Sequence, residues 1–157
     1  MKEATTTLLI EAPIDVVWEV MTAIEDYPTW NPFIYKIEAD GIAPKEGGEM
    51  TFLVQFEKGN KTKSKEVVTV FLPPTNTNPS TAQWVYEFKG FLPTIGMVRA
   101  NRIQQLEVLP NGHTTYTTSE KFTGWGQALV PLAQVQKGFE IQAAALKKKC
   151  EDVQQQR

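Results

Sequence analysis

Between Leu8 and Glu38 the chain changes its local structure several times, and a proline sits at or beside each change. Pro13 follows the apolar run Leu8-Leu9-Ile10. Its fixed φ and missing N–H suit the first turn of a helix. Val16, Val17, Val20 and Met21 fall on one side of that helix, with Trp18 toward its edge. The helix cannot run on through Tyr27–Pro32, because Pro28 and Pro32 forbid it. A second strand begins at Phe33. A strand, a short broken helical pair and then a long succession of strands predict an α+β fold, not an alternating βαβ one.

The strands that follow read by period-two alternation. Phe33, Tyr35, Ile37 and Ala39 are expected to face inward on the second strand, and Met50, Phe52, Val54 and Phe56 on the third. Gly41 to Gly48 is a turn region, and Lys58 to Lys63 a solvated hairpin tip. Residues 65–72 form the fourth strand, and Pro73 to Ser80 is a surface loop. Trp84, Tyr86 and Phe88 face inward on the fifth. Strands six and seven, about 97–109 and 113–123, are joined by Pro110-Asn111-Gly112, which suits a three-residue loop with Gly112 in the left-handed region. That loop sets Arg102 opposite Glu120, Gln104 opposite Thr118 and Leu106 opposite Tyr116.

From about Gln127 to Gln154 one long helix is expected. Leu132, Val135, Phe139, Ala143, Leu146, Cys150 and Val153 make an apolar stripe at steps of three and four. No second helix has the length to cover it, so it must lie across the sheet.

Composition narrows the function. The 157 residues include 41% hydrophobic and 22% charged residues, which fits one globular domain spanning 1–157. A net charge of −2 argues against a general nucleic-acid binder. The single cysteine forms no internal disulfide, and neither a signal-like start nor a membrane span is read, so a cytoplasmic protein is expected. With one Cys and one His, His113 beyond a hairpin turn, no Cys–His nucleophile or metal site is expected. No phosphate-binding loop or other cofactor signal appears.

Three blocks carry a family likeness: Ile10 to Trp18 continuing to Trp30–Ile34; the last hairpin with Leu106-Glu107, Asn111-Gly112, Thr114 and Glu120–Gly124; and the long helix with Ala145-Leu146-Lys147. Through them the chain resembles the START-like, or helix-grip, superfamily, in particular its SRPBCC branch of polyketide cyclase/dehydrase-like proteins. The resemblance implies a curved seven-stranded antiparallel sheet wrapped around the C-terminal helix, with two short helices between strands one and two. It also implies a cavity for a small hydrophobic molecule such as a lipid, sterol, quinone or polyketide. Some members of the superfamily are enzymes and others only carry a ligand.

Chemistry is expected on the last hairpin, where Arg102, Gln104, Tyr116, Thr118 and Glu120 face inward. Arg102 and Glu120 would form an ion pair, which is costly to bury without a further partner. Two readings stand side by side. The pair is structural, or it is the polar end of a ligand pocket, with Arg102 and Glu120 as the catalytic candidates if the protein is a cyclase or dehydratase. The cation is expected to keep Glu120 ionised. Tyr35, Phe52, Trp84, Tyr116 and Phe139 are the expected aromatic lining. Phe91, Leu92 and Ile95 lie on a glycine-bounded apolar loop, Gly90–Gly96, that would serve as a lid, a homodimer contact, simple packing or, in a protein-interaction module without a ligand, the partner's docking surface.

Overall fold

One antiparallel sheet of seven strands, in the order β1-β7-β6-β5-β4-β3-β2, packs against one long helix. The computed structural model describes residues 1–41 and 43–157. The strands are β1 (Lys2–Ile10), β2 (Ile34–Ala39), β3 (Glu49–Gln55), β4 (Lys61–Leu72), β5 (Thr81–Phe88), β6 (Arg99–Val108) and β7 (Thr114–Thr123). Between β1 and β2 lie α1 (Ile14–Thr22), a 3-10 turn (Ile24–Asp26) and the short α2 (Tyr27–Trp30). A further helical turn, α3 (Phe91–Thr94), precedes β6, and α4 (Leu132–Gln155) closes the fold. This is the helix-grip architecture.

Local chemistry explains the opening segment. Pro13 sits immediately before α1, and Val17 and Met21 are fully buried beneath it. The Tyr27 hydroxyl donates to the Met21 carbonyl at 2.6 Å, tying the two helical pieces together. The Asn31 side-chain oxygen accepts from the backbone N–H groups of Phe33 and Ile34 at 3.0 and 2.9 Å. It thereby bridges the end of α2 to the start of β2, as asparagine does in turns.

The last hairpin has the expected register: Arg102 opposite Glu120, Gln104 opposite Thr118, Leu106 opposite Tyr116. Gly112 adopts φ 84°, a conformation that favours glycine, and Leu109 N–H donates to His113 O at 2.8 Å. Other expectations need correction. The register of β2 against β3 shifts between Ile34 and Lys36, so one extra residue bulges out. Ile34 and Ile37 are both buried, and Tyr35 is displaced from the inner face. The hairpin tip before β4 is shorter than Lys58–Lys63, because pairing resumes at Lys61. The turn expected over Gly41–Gly48 includes Ile42, which lies outside the described residues. The 90–96 stretch contains a helical turn, and residues 127–129 form a separate 3-10 turn before α4 begins at Leu132.

α4 also closes an edge. β1 ends the sheet, so half of its backbone groups lack a neighbouring strand. Side chains of α4 answer several of them. Thr5 N–H donates to Gln136 Oε1 at 2.9 Å, and Gln136 Nε2 donates to Thr5 O at 2.7 Å. Lys147 Nζ donates to Leu9 O at 3.0 Å, and Glu11 N–H donates to Glu151 Oε1 at 3.0 Å. Lys147 and Glu151 are themselves paired one turn apart on the helix. The apolar side of α4 buries Val135, Phe139, Ala143, Leu146 and Cys150 against the sheet.

Candidate ligand-binding site

The inner face of the sheet and α4 leave a cavity of about 150 Å³ between them. Phe33, Phe52, Phe56, Tyr86, Phe122 and Phe139 supply six aromatic side chains to its wall, with Ile34, Val54 and Val135 between them. Its polar residues are Thr62, Ser64 and Glu66 on β4, Arg102 on β6 and Glu120 on β7. The exposed Thr62 marks where the wall reaches the surface. Gly138 permits the close approach of α4 on this side. A Cβ added there would stand 2.2 Å from Cε2 of Phe33, whose ring also meets Phe56 and Phe139 edge-on.

Arg102 is 3% exposed and does not pair with Glu120, although their backbones are directly opposite. Its Nε donates to Thr118 Oγ1 at 3.1 Å and its Nη2 to Gln142 Oε1 at 2.8 Å. Its guanidinium lies over the Phe139 ring, 4.1 Å from the centroid, a favourable place for a cation. A chain of amides and hydroxyls continues inward. Tyr116 donates its hydroxyl to Gln104 Oε1 at 2.8 Å, and Gln104 Nε2 donates to the Tyr86 hydroxyl at 3.2 Å. Helix α4, through Gln142, therefore takes the role that sequence reasoning gave to Glu120.

Both carboxyls of the cavity are poor anions. Burial pushes Glu120 up to about 7, and the neighbouring Arg102 opposes that only in part. Although Glu120 as a whole is half-buried, its carboxyl is enclosed by protein. The expectation that Arg102 keeps it firmly ionised is thus corrected, because desolvation outweighs a cation already engaged elsewhere. Glu66 is 5% exposed. Burial and repulsion from Glu120 push it up to about 8, against a hydrogen bond from Ser64 and the pull of Arg102. Ser64 Oγ donates to Glu66 Oε1, while Glu66 Oε2 is buried without a partner among the described residues.

The residues singled out from sequence divide into three groups. Phe52, Arg102, Glu120 and Phe139 line the cavity. Gln104, Tyr116 and Thr118 are buried in the polar chain beside it, and Trp84 packs against Phe71 and Tyr86 in the adjoining core. Tyr35 is half-buried with Lys61 Nζ 5.1 Å from its ring centroid, away from the cavity wall. Phe91, Leu92 and Ile95 also lie off that wall, and Phe91 is 73% exposed. Their segment is fastened to the turn after β7 instead: Gly126 N–H donates to Met97 O at 2.7 Å and Trp125 Nε1 to Ile95 O at 3.2 Å.

Glu66 and Gln142 escaped sequence reasoning. Gln142 carried a signal, since it lies on the helical stripe one turn beyond Phe139, whereas Glu66, in a run of charged and polar residues, carried none. No group of three or more metal-ligating side chains occurs among the described residues. No helix there is long and apolar enough to cross a membrane.

Residues 1–151 match the family described as polyketide cyclase / dehydrase and lipid transport. The chain belongs to that family. Solved structures agree in fold. Protein jhp0584 of Helicobacter pylori is 14% identical, with a TM-score of 0.71 over 95% of this chain and 88% of that one. The major latex-like protein 151 of Panax ginseng is 13% identical, with a TM-score of 0.67 over 94% and 96%. XoxI of Bacillus cereus is 17% identical, with a TM-score of 0.66 over 98% of each chain. No curated protein matches the chain. The polyketide cyclase / dehydrase and lipid transport family joins catalysis and carriage in its description, so membership alone does not choose between them.

Proposed function

We propose that the protein binds a small hydrophobic molecule, about one aromatic ring in size and carrying one polar group, in the cavity between the sheet and α4. The observation that carries this reading is the cavity itself: about 150 Å³, walled by six aromatic side chains, with Glu66, Arg102 and Glu120 on its wall. An apolar cavity of roughly that volume holds a benzene-sized molecule. Pockets for drug-sized ligands run to roughly 300–1,000 Å³, so a sterol or long-chain lipid would require α4 to move away from β3. Binding would rest on apolar burial, at roughly 25 cal/mol for each Å² removed from water, with the polar groups fixing orientation.

A thermal-shift screen of monocyclic aromatics, quinones, fatty acids and sterols tests this. Monocyclic aromatics should raise Tm, because a ligand at 100 times its Kd stabilises by about 2.7 kcal/mol. A shift with none of the four classes would defeat the proposal.

A further inference from the structure

We infer that Glu66 is the residue that selects the ligand, and that it selects a neutral molecule whose carbonyl or similar oxygen accepts a hydrogen bond from Glu66 Oε2. This rests on the cavity reading above and names the chemistry of its occupant. Three geometric facts support it. Glu66 lies on the cavity wall and is 5% exposed. Its Oε1 is held by the Ser64 hydroxyl, and its Oε2 is buried with no partner among the described residues. Arg102, the buried cation of the site, is already engaged by Thr118, Gln142 and the Phe139 ring and makes no ion pair with Glu66. A buried oxygen left unanswered is costly, and a ligand that supplies its partner recovers that cost.

The surrounding charges decide what the partner is. Glu120, Arg102 and Tyr86 face Glu66 across the cavity. On its other side, Glu38, Asp40, Glu49, Lys65 and Lys89 line a shared groove. Burial and the repulsion of Glu120 push Glu66 up to about 8, so at pH 7 it is mainly the neutral acid. With Oε1 occupied by the Ser64 hydroxyl, the acid proton placed on Oε2 gives that unpartnered atom a hydrogen to donate to a ligand. An ammonium ligand would have to sit beside Arg102 and would gain nothing from a neutral acid. A carboxylate ligand would meet Glu120 as soon as that group ionised. A neutral oxygen acceptor answers Glu66 Oε2 and adds no charge beside Arg102 or Glu120.

The test is isothermal titration of the whole protein at pH 6 and pH 9 with acetophenone, ethylbenzene and benzylamine. Acetophenone should bind about tenfold more tightly at pH 6 than at pH 9, the worth of one good hydrogen bond, while ethylbenzene changes little. Glu66→Leu should bring acetophenone down to the affinity of ethylbenzene. Glu66→Gln, which keeps an N–H donor, should retain acetophenone binding and remove its pH dependence. Both variants relieve a buried acid and should fold. Equal affinities for acetophenone and ethylbenzene, tighter acetophenone binding at pH 9, or a preference for benzylamine would each overturn the role of Glu66 and leave the cavity reading standing. Failure of all three probes to bind would overturn the cavity reading as well.

Discussion

Replacing Glu66 by Gln should stabilise the protein at alkaline pH and leave it almost unchanged near pH 5. In the unfolded chain the carboxyl titrates at its ordinary 4.5, whereas in the fold burial and Glu120 move it to about 8. Between those values the unfolded state has released the proton and the native state still holds it. The unfolded state then binds fewer protons, so stability falls as pH rises through that window. At about 1.36 kcal/mol per pH unit the loss is on the order of 5 kcal/mol once pH exceeds 8. That is a large share of a typical domain's stability of roughly 5–15 kcal/mol. Gln at this position has nothing to ionise and keeps the shape of the side chain. Urea denaturation of both proteins at pH 5, 6, 7, 8 and 9 measures the difference. The two stabilities should nearly coincide at pH 5 and diverge by a few kcal/mol at pH 9. Glu120, which moves from 4.5 to about 7, should leave a smaller decline in the variant that ends sooner. Parallel curves from pH 5 to pH 9 would refute the reasoning, since they would mean that Glu66 ionises freely in the fold.

Two further substitutions probe the frame of the site. Gly138→Ala gains up to about 1 kcal/mol of helix propensity but drives a methyl into the Phe33 ring. Overpacking of this kind costs about 1–3 kcal/mol, so Tm should fall; a raised Tm would show that α4 and β2 are not in close contact there. Gln136→Ala removes both hydrogen bonds to the Thr5 backbone at the β1 edge. It should cost about 1 kcal/mol and speed amide exchange at Thr5, and unchanged exchange would contradict the edge-closing role of α4.

Much of the fold was legible because local chemistry dictates it. Pro13, Pro28 and Pro32 mark the helical pieces, and Asn111-Gly112 sets the register of the last hairpin residue for residue. The site was legible only in part. Period-two alternation has no means of seeing the extra residue between Ile34 and Lys36, so Tyr35 was expected on the wrong side of β2. Register places Arg102 opposite Glu120, yet the long guanidinium side chain reaches past it to Thr118, Gln142 and Phe139. Glu66 sits in the run Lys63-Ser64-Lys65-Glu66, which reads as a solvated strand face. Its burial comes from the cavity wall that β4 shares with β3, β6, β7 and α4, and that is a tertiary fact.

The apolar segment at 90–97 shows the same division. Its composition announced an unusual surface, and Phe91, Leu92 and Ile95 are indeed exposed. Its position is set by backbone hydrogen bonds to the turn after β7, which composition does not encode. The result is an exposed apolar surface off the cavity wall.

The most direct test of the account is a crystal structure of the protein with para-bromoacetophenone, whose bromine is located by anomalous scattering. A bromine peak is expected between β3 and α4 among Phe52, Phe56 and Phe139, with the carbonyl oxygen within about 3 Å of Glu66 Oε2. A cavity filled by its own aromatic side chains, with the bromine found only at the surface near Phe91 and Trp125, would contradict it.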